Sequence, residues 1–330
     1  MHTAEELIGA LLRLSPRHRP GTRPVHATGV AAHGRFEPTE DAPRFTGAAP
    51  LTKRCQVTVR FSNGAGDHGA PDVRRDPRGM AVRFHGPGGG AAFDMVCMTL
   101  PVFFVRDIEA LYQFMVASVP PDPPVARSRW QDVIDYVHLR NPPKDPGPGD
   151  AGALAFVDKH PETCPSFVEL RNETVPDSFA ARSYHAIHAY RLTAGDGCTR
   201  YVRFNWEPVA GLRKRVAGPG DDGCAFLEED LRRRVADGSI EFVLRAQVAQ
   251  QGDDTADPTR PWPQTRPRIV LGHLVVDGPM LAPDEAEALA FNPHTLPPGI
   301  APDPGDAIFA KRGEVYRASA SIRSRERSLW

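Results

Sequence analysis

The run Met80-Ala-Val-Arg-Phe-His85-Gly-Pro-Gly-Gly-Gly-Ala91-Ala-Phe-Asp-Met-Val-Cys-Met98 sets the fold class of this chain. Met80, Val82 and Phe84 alternate with small or polar residues, and so do Phe93, Met95 and Cys97, the signature of half-buried strands. Gly86–Ala91 between Met80–His85 and Ala92–Met98 is a hairpin connection rich in turn formers. A phosphate cradle would need a helix start and a Lys-Ser/Thr pair, and neither follows. Working outward, Val25–Arg35 and Cys55–Ser62 read as strands on the N-terminal side. Tyr184–Thr193, Thr199–Trp206, Ile240–Gln250 and Arg268–Val276 read as strands on the other side. Two groups of four antiparallel strands predict an α+β chain built on a closed eight-stranded antiparallel β-barrel with surrounding helices.

Between the two groups lies a helical insert at about 107–170, with helices expected at Asp107–Ser118, Arg127–His138 and Ala151–His160. Pro120–Pro124 and Pro142–Pro148 punctuate it. A further helix, Cys224–Ala236, stops at Asp237-Gly238. Leu7, Ile8, Leu11 and Leu12 give residues 1–20 the pattern of a short amphipathic helix or arm, ahead of one barrel domain at 21–330. The proline-rich stretch Phe291–Gly305 is a long loop of the kind that carries function.

Composition narrows the classes of function. The 330 residues allow a sizeable core, and a net charge of −1 offers no basis for nucleic-acid or anionic-membrane binding. No apolar run is long enough to span a bilayer, and residues 1–14 lack the basic start and cleavage site of a secretory signal. Five scattered cysteines without a Cys-x-x-Cys pair fit reduced thiols, hence a cytoplasmic protein, better than a disulfide scaffold or a zinc site.

Near the C-terminus, Arg312-Gly-Glu-Val-Tyr316 places a guanidinium and a phenol on one helical face, with Ser319 and Arg323 further along it. A guanidinium beside a phenol favours the anionic oxygen, and tyrosinate is one of the few axial ligands of haem iron. On its own this spacing usually marks a solvated helix face. In Arg23-Pro-Val25-His26-Ala-Thr-Gly29, an imidazole emerging from the first strand into the barrel is a possible general acid and base, although a lone histidine there is more often a satisfied core residue. The Arg and Asp residues of Arg60-Phe-Ser62-Asn-Gly64 and Arg75-Asp76-Pro-Arg-Gly79 would alone be a surface ion-pair cluster. The adjacent Phe103 and Phe104 would alone be core.

Taken in order, these segments closely resemble the haem catalase family. Val-His-Ala-x-Gly, Arg-Phe-Ser, Arg-Asp-Pro-Arg-Gly, Pro-Val-Phe-Phe-x-Arg-Asp and Arg-x-x-x-Tyr stand in family order. The likeness also takes in Tyr184–Tyr190, Phe204-Asn-Trp206, Trp262-Pro263 and Pro297–Asp306, and covers residues 20 to 325. It implies a β-barrel holding haem b, with Tyr316 as the iron ligand and Arg312 stabilising its phenolate. His188 and Asp306 would continue the network behind that arginine, and Arg23, Arg60 and Arg323 would neutralise the haem propionates. His26 would be the distal acid–base residue and Ser62 its orienter, with Val25 over the haem face and Phe103 and Phe104 on the distal side. Ser319 falls on the cofactor-facing side of the same helix.

Departures from the family pattern shape the expected activity. The catalase asparagine three residues before the proline of Pro-x-Phe-Phe is Met98 here, and a thioether is only a weak acceptor. Thr99 would substitute only if its hydroxyl turned inward. Gly64 replaces the valine that narrows the access channel, while Asp76 matches the channel aspartate. The chain stops soon after the ligand tyrosine, like the small catalase-related peroxidases. These features predict a haem peroxidase that reduces organic hydroperoxides or hydrogen peroxide while oxidising a small-molecule donor, with weak catalase activity. The alternatives are a small catalase, a fatty-acid hydroperoxide lyase or isomerase similar to the catalase-related allene oxide synthases, and a haem carrier or sensor. The last has no use for His26 and Ser62. The expected assembly is a homodimer, because the threaded arms of tetrameric catalases are missing.

Overall fold

The computed structural model describes residues 2–15, 17–119, 152–216 and 225–329. Ten strands form one antiparallel sheet: β1 Gly29–Pro38, β2 Cys55–Asn63, β3 Arg78–His85, β4 Ala91–Met98, β5 Tyr184–His185, β6 Tyr190–Thr193, β7 Thr199–Pro208, β8 Ile240–Val248, β9 Arg268–Val276 and β10 Ile300–Pro302. The order β7-β5-β4-β3-β2-β1-β9-β8 returns to β7, which closes an eight-stranded barrel and leaves it no long open edge. β6 pairs with β7 beyond β5, and β10 pairs with β6.

Alternation along each strand divides inside from outside. Val57, Val59 and Phe61, then Met80, Val82 and Phe84, then Phe93, Met95 and Cys97 enter one core. There they meet Phe36, Phe204, Trp206 and Phe242. Phe36 meets Phe84 edge-on at 5.2 Å, and Phe84 stacks on Trp206 at 6.4 Å. Each buried aromatic stabilises the fold by roughly 1.5–3 kcal/mol. This lumen is therefore filled by side chains. The opposite face of β1–β4 carries the site.

Two further expectations change. β1 begins at Gly29 rather than Val25, so His26 precedes the strand and does not project from it. Its φ of 55° lies in the left-handed region, which costs a non-glycine residue energy and turns the chain out of the ladder. The backbone N–H groups of His26 and Ala27 instead donate to the Gly64 and Ala65 carbonyls, each at 3.1 Å. The single strand expected at Tyr184–Thr193 is broken into β5 and β6. Ile187 at φ 45° and a 2.5 Å bond from the His188 N–H to the Ala186 carbonyl make a tight turn there, and the turn redirects His188.

The N-terminal helix Ala4–Arg13 starts in a capping box, in which Thr3 and Glu6 satisfy each other's backbone N–H at 3.1 and 2.9 Å. Leu7 and Ala10 pack with Met115, Leu111 and Val315, so this segment docks on the body. The insert supplies Ile108–Ala117, capped by Asp107, and Ala153–Lys159. Cys164–Asn172 and Pro283–Ala288 are helices that residue pattern did not reveal. Ala49–Thr52, Phe226–Asp237 and the long C-terminal helix Ala307–Arg327 are the remaining α-helices among the described residues. The helix expected at Arg127–His138, the segments Pro120–Pro124 and Pro142–Pro148, and Cys224 lie outside the described residues.

Candidate active site

The site is laid on a flat patch of barrel wall. Gly29, Ser62, Gly79 and Met98 are register partners across β1–β4, and Ala31, Arg60, Ala81 and Val96 form the next row. Gly29, Ala31, Gly79 and Ala81 are the small residues of this patch. A Cβ at Gly79 would stand 2.7 Å from both His26 Nδ1 and Ser62 Oγ, and one at Gly29 would stand 2.8 Å from Arg60 Cζ. The glycines of Val-His-Ala-x-Gly and Arg-Asp-Pro-Arg-Gly thus provide the room that the functional side chains fill. Neither was singled out from sequence, although both end quoted motifs.

Over this patch lies a cavity of ≈ 580 Å³, within the range of cofactor sites. Its walls include Val25, His26, Ser62, Met98, Phe103, Phe104, Arg312, Tyr316 and Ser319. Phe103 and Phe104 are in contact at 4.2 Å, and Phe104 packs on Phe114 at 4.7 Å. His26 Nδ1 is 3.1 Å from Ser62 Oγ. Burial, reinforced by the positive Arg60, pushes the His26 imidazole down to about 4, so it is neutral near pH 7. In the tautomer whose Nδ1–H is donated to Ser62, Nε2 is the base.

The C-terminal helix supplies the other functional group. Arg312 Nη2 donates to Tyr316 Oη at 2.9 Å, and Arg312 Nη1 donates to His188 Nε2 at 2.7 Å. Because Nε2 accepts, Nδ1 carries the hydrogen and donates to Asp306 Oδ2 at 2.6 Å. Burial holds His188 down to about 4, with Asp306 working the other way, so this ring is also neutral. Burial opposes the Arg312 charge as well, yet the adjacent Tyr316 oxygen, Tyr190 and Asp306 hold it raised. The relay Tyr316–Arg312–His188–Asp306 thus fixes a guanidinium against the phenol oxygen. His294 braces the helix from outside. It stacks on Phe309 at 4.8 Å and lies where a Cβ at Gly313 would be, 2.2 Å from its ring atoms.

Arg23, Arg60 and Arg323 line one part of the cavity. Burial pushes them down to about 9, 10 and 10 respectively, with Arg60 adding to the effect on Arg23, and Arg23 to that on Arg323. Arg60 Nε and Arg323 Nε have no hydrogen-bond partner among the described residues. Buried guanidiniums with unpaired donors call for an anion.

Met98 lines the cavity. Thr99 does not. Its hydroxyl donates to Glu173 Oε1 at 2.5 Å and accepts from the Arg78 N–H, so it cannot replace an amide. Gly64 leaves no vacancy, because the Pro77 carbonyl oxygen would lie 2.5 Å from a Cβ there. The expected widening at this position is therefore filled by backbone. Asp76 lines the cavity and is committed to the Ala65 N–H at 2.8 Å and to Arg78.

A phenol oxygen backed by a guanidinium, a neutral imidazole, a flat wall and three cations at one edge fit a planar, apolar, dianionic iron macrocycle such as haem. Among the described residues, no group of three His, Cys, Asp or Glu could hold a bare metal ion. No helix among them is long and apolar enough to cross a membrane.

The family model for catalase matches residues 10–326, and the chain belongs to the catalase family. It is 30% identical to a catalase-related peroxidase of Mycolicibacterium paratuberculosis, over 93% of this chain and 90% of the relative. It is 28% identical to a catalase-related peroxidase of Synechococcus elongatus, over 92% and 84%. Against mouse catalase the identity is 28% over 87% of this chain but 54% of that protein. A crystal structure of a fungal catalase superposes with a TM-score of 0.75 at 23% identity, over 93% of this chain and 60% of that one, which bears on the fold.

Proposed function

We propose that the chain holds haem b and acts as a peroxidase, reducing organic hydroperoxides or hydrogen peroxide at the expense of a small-molecule donor, with weak catalase activity. The observation that carries this reading is the pairing of His26 and Ser62 with Met98, while Thr99 is tied to Glu173. Tyr316 would ligate the iron, and Arg23, Arg60 and Arg323 would receive the propionates. When bound, haem supplies the iron at which the peroxide O–O bond is cleaved.

The chain's own groups handle protons and charge. Neutral His26 takes the proton of the inner peroxide oxygen on Nε2 and returns it to the departing outer oxygen, which leaves as water or alcohol. Ser62 keeps the ring in the tautomer that does this. Arg312 favours negative charge on the Tyr316 oxygen, and the His188–Asp306 pair holds Arg312 in place. Dismutation requires a second hydrogen peroxide positioned by His26 and a further polar group. Met98 is a poor partner for it. Leu7, Leu11 and Leu14 give the cavity an apolar wall that suits an organic hydroperoxide.

Cys55, Cys97, Cys164 and Cys198 are free thiols, which supports a cytoplasmic setting. The reading also includes one haem-binding unit at 21–330 with the N-terminal helix docked on it, and a homodimer. The test is to reconstitute with haem and compare oxygen release from hydrogen peroxide with dye oxidation by an alkyl hydroperoxide. Dye oxidation should dominate. Fast oxygen release would favour a small catalase, rearranged lipid products without reductant would favour an isomerase, and no turnover with haem bound would favour a carrier.

A further inference from the structure

We infer that Glu287 is a positioning residue for the cofactor's anionic edge, holding the three cavity arginines together so that they present a net charge of about two to a dicarboxylate. The inference rests on the haem reading above. Glu287 Oε2 lies 2.8 Å from Arg23 Nη1 and 3.8 Å from Arg60 Nη2, and Oε1 lies 3.5 Å from Arg323 Nη1. Its backbone carbonyl accepts from Arg323 at 2.9 Å and from Arg327 at 3.1 Å. Arg23, Arg60 and Arg323 line the cavity, and Glu287 does not. The carboxylate therefore contacts all three guanidiniums without lining the cavity.

The charge count gives this placement its purpose. Three buried guanidiniums converging on one point repel one another, and burial strips the solvent that would screen them. One carboxylate bound to all three offsets part of that repulsion without occupying the ligand side. The three cavity-lining guanidiniums and Glu287 together carry a charge of two, matching the two propionates of haem b, and Arg327 adds a further positive charge outside the cavity. Arg323 uses Nη1 on Glu287 and Arg23 uses Nη2 on the Leu289 carbonyl, while Arg60 Nε and Arg323 Nε have no hydrogen-bond partner among the described residues. Arg327, the fourth cation of the cluster, binds the Gly21 and Glu287 carbonyls and does not line the cavity. The short helix Pro283–Ala288 that delivers Glu287 precedes the loop leading to the C-terminal helix, so both halves of the site are anchored by one stretch of chain.

The test uses the full chain, stripped of haem and titrated with two probes, haem b and its dimethyl ester, with dissociation followed by transfer to an excess of a haem scavenger. Glu287→Gln should speed the loss of haem b by about tenfold or more, the usual size of an outer-shell effect. It should leave the dimethyl ester unchanged, because the ester has no charge for the arginines to hold. Glu287→Asp, which restores the charge on a shorter arm, should fall between Gln and wild type, and serves if the Gln variant folds poorly. Unchanged haem b dissociation would overturn the inference. So would tighter binding, which would make Glu287 a competitor of the propionates, or equal weakening of both probes, which would make its role purely structural. A wild-type chain that retains neither probe would instead overturn the haem reading itself.

Discussion

In the proposed function, Met98 is the residue on which the balance between dismutation and peroxidation turns. In register with Gly79 and Ser62, it occupies the wall beside His26, where the family resemblance implies an amide. Restoring one donor and acceptor is expected to lower the dismutation barrier by about 1.4 kcal/mol, a tenfold gain. Met98→Asn should therefore raise oxygen release from hydrogen peroxide about tenfold with little change in alkyl hydroperoxide reduction. An unchanged oxygen rate, read at an oxygen electrode, would place the limitation elsewhere. His26 gives a second expectation. With its imidazole down at about 4, the base form persists well below neutral pH. The rate of peroxide cleavage should stay level from pH 8 to about 5 and fall only as pH approaches 4; an inflection near 6.5 would contradict the desolvated environment.

At the scale of elements, the C-terminal helix joins stability to chemistry through its N-cap. Asp306 Oδ1 caps the helix by accepting from the Phe309 N–H at 2.8 Å, and Oδ2 receives His188 Nδ1–H. Asp306→Asn can keep the cap but loses the negative charge opposite the imidazole. The expected cost is about 1–3 kcal/mol from a weakened buried bond, seen as a lower denaturant midpoint. The Tyr316 relay should loosen with it, and a shifted absorption spectrum of the haem-loaded protein would report that. A midpoint and spectrum identical to wild type would remove Asp306 from the relay. The strands carry the matching lesson. Gly29 and Gly79 each end a motif, but their use as room for Arg60 and for the His26–Ser62 pair follows only from strand register.

For the whole molecule, buried His188 and part-buried His26 and His185 each sit down at about 4, desolvation being the largest cause. Unfolded, each would titrate near 6.5. The unfolded chain thus binds more protons between these values, so stability is full above pH 6.5 and is lost as pH falls toward 4. Melting temperature of the haem-free protein should decline across that window, most steeply between 6 and 4.5, and a flat profile there would show that the three rings are not held neutral.

The barrel strands were legible because alternation along β3 and β4 directly encodes a two-sided sheet. The break at Ile187 was not, because no local pattern marks a strand forced out of register to aim His188. Tyr316 and Arg312 were legible because one helical turn fixes their mutual distance. Glu287 was not, since Pro283–Ala288 reads as an ordinary acidic helix until three arginines from distant segments converge on it. What the sequence determined by itself was short-range: strand period, helical spacing and the order of motifs. Which face of the barrel holds the site, how Pro77 fills the space beside Gly64, and what charge faces the cavity were decided by tertiary structure. They depend on packing and on Coulomb interactions between residues far apart in the chain, and those distances exist only once the barrel has closed.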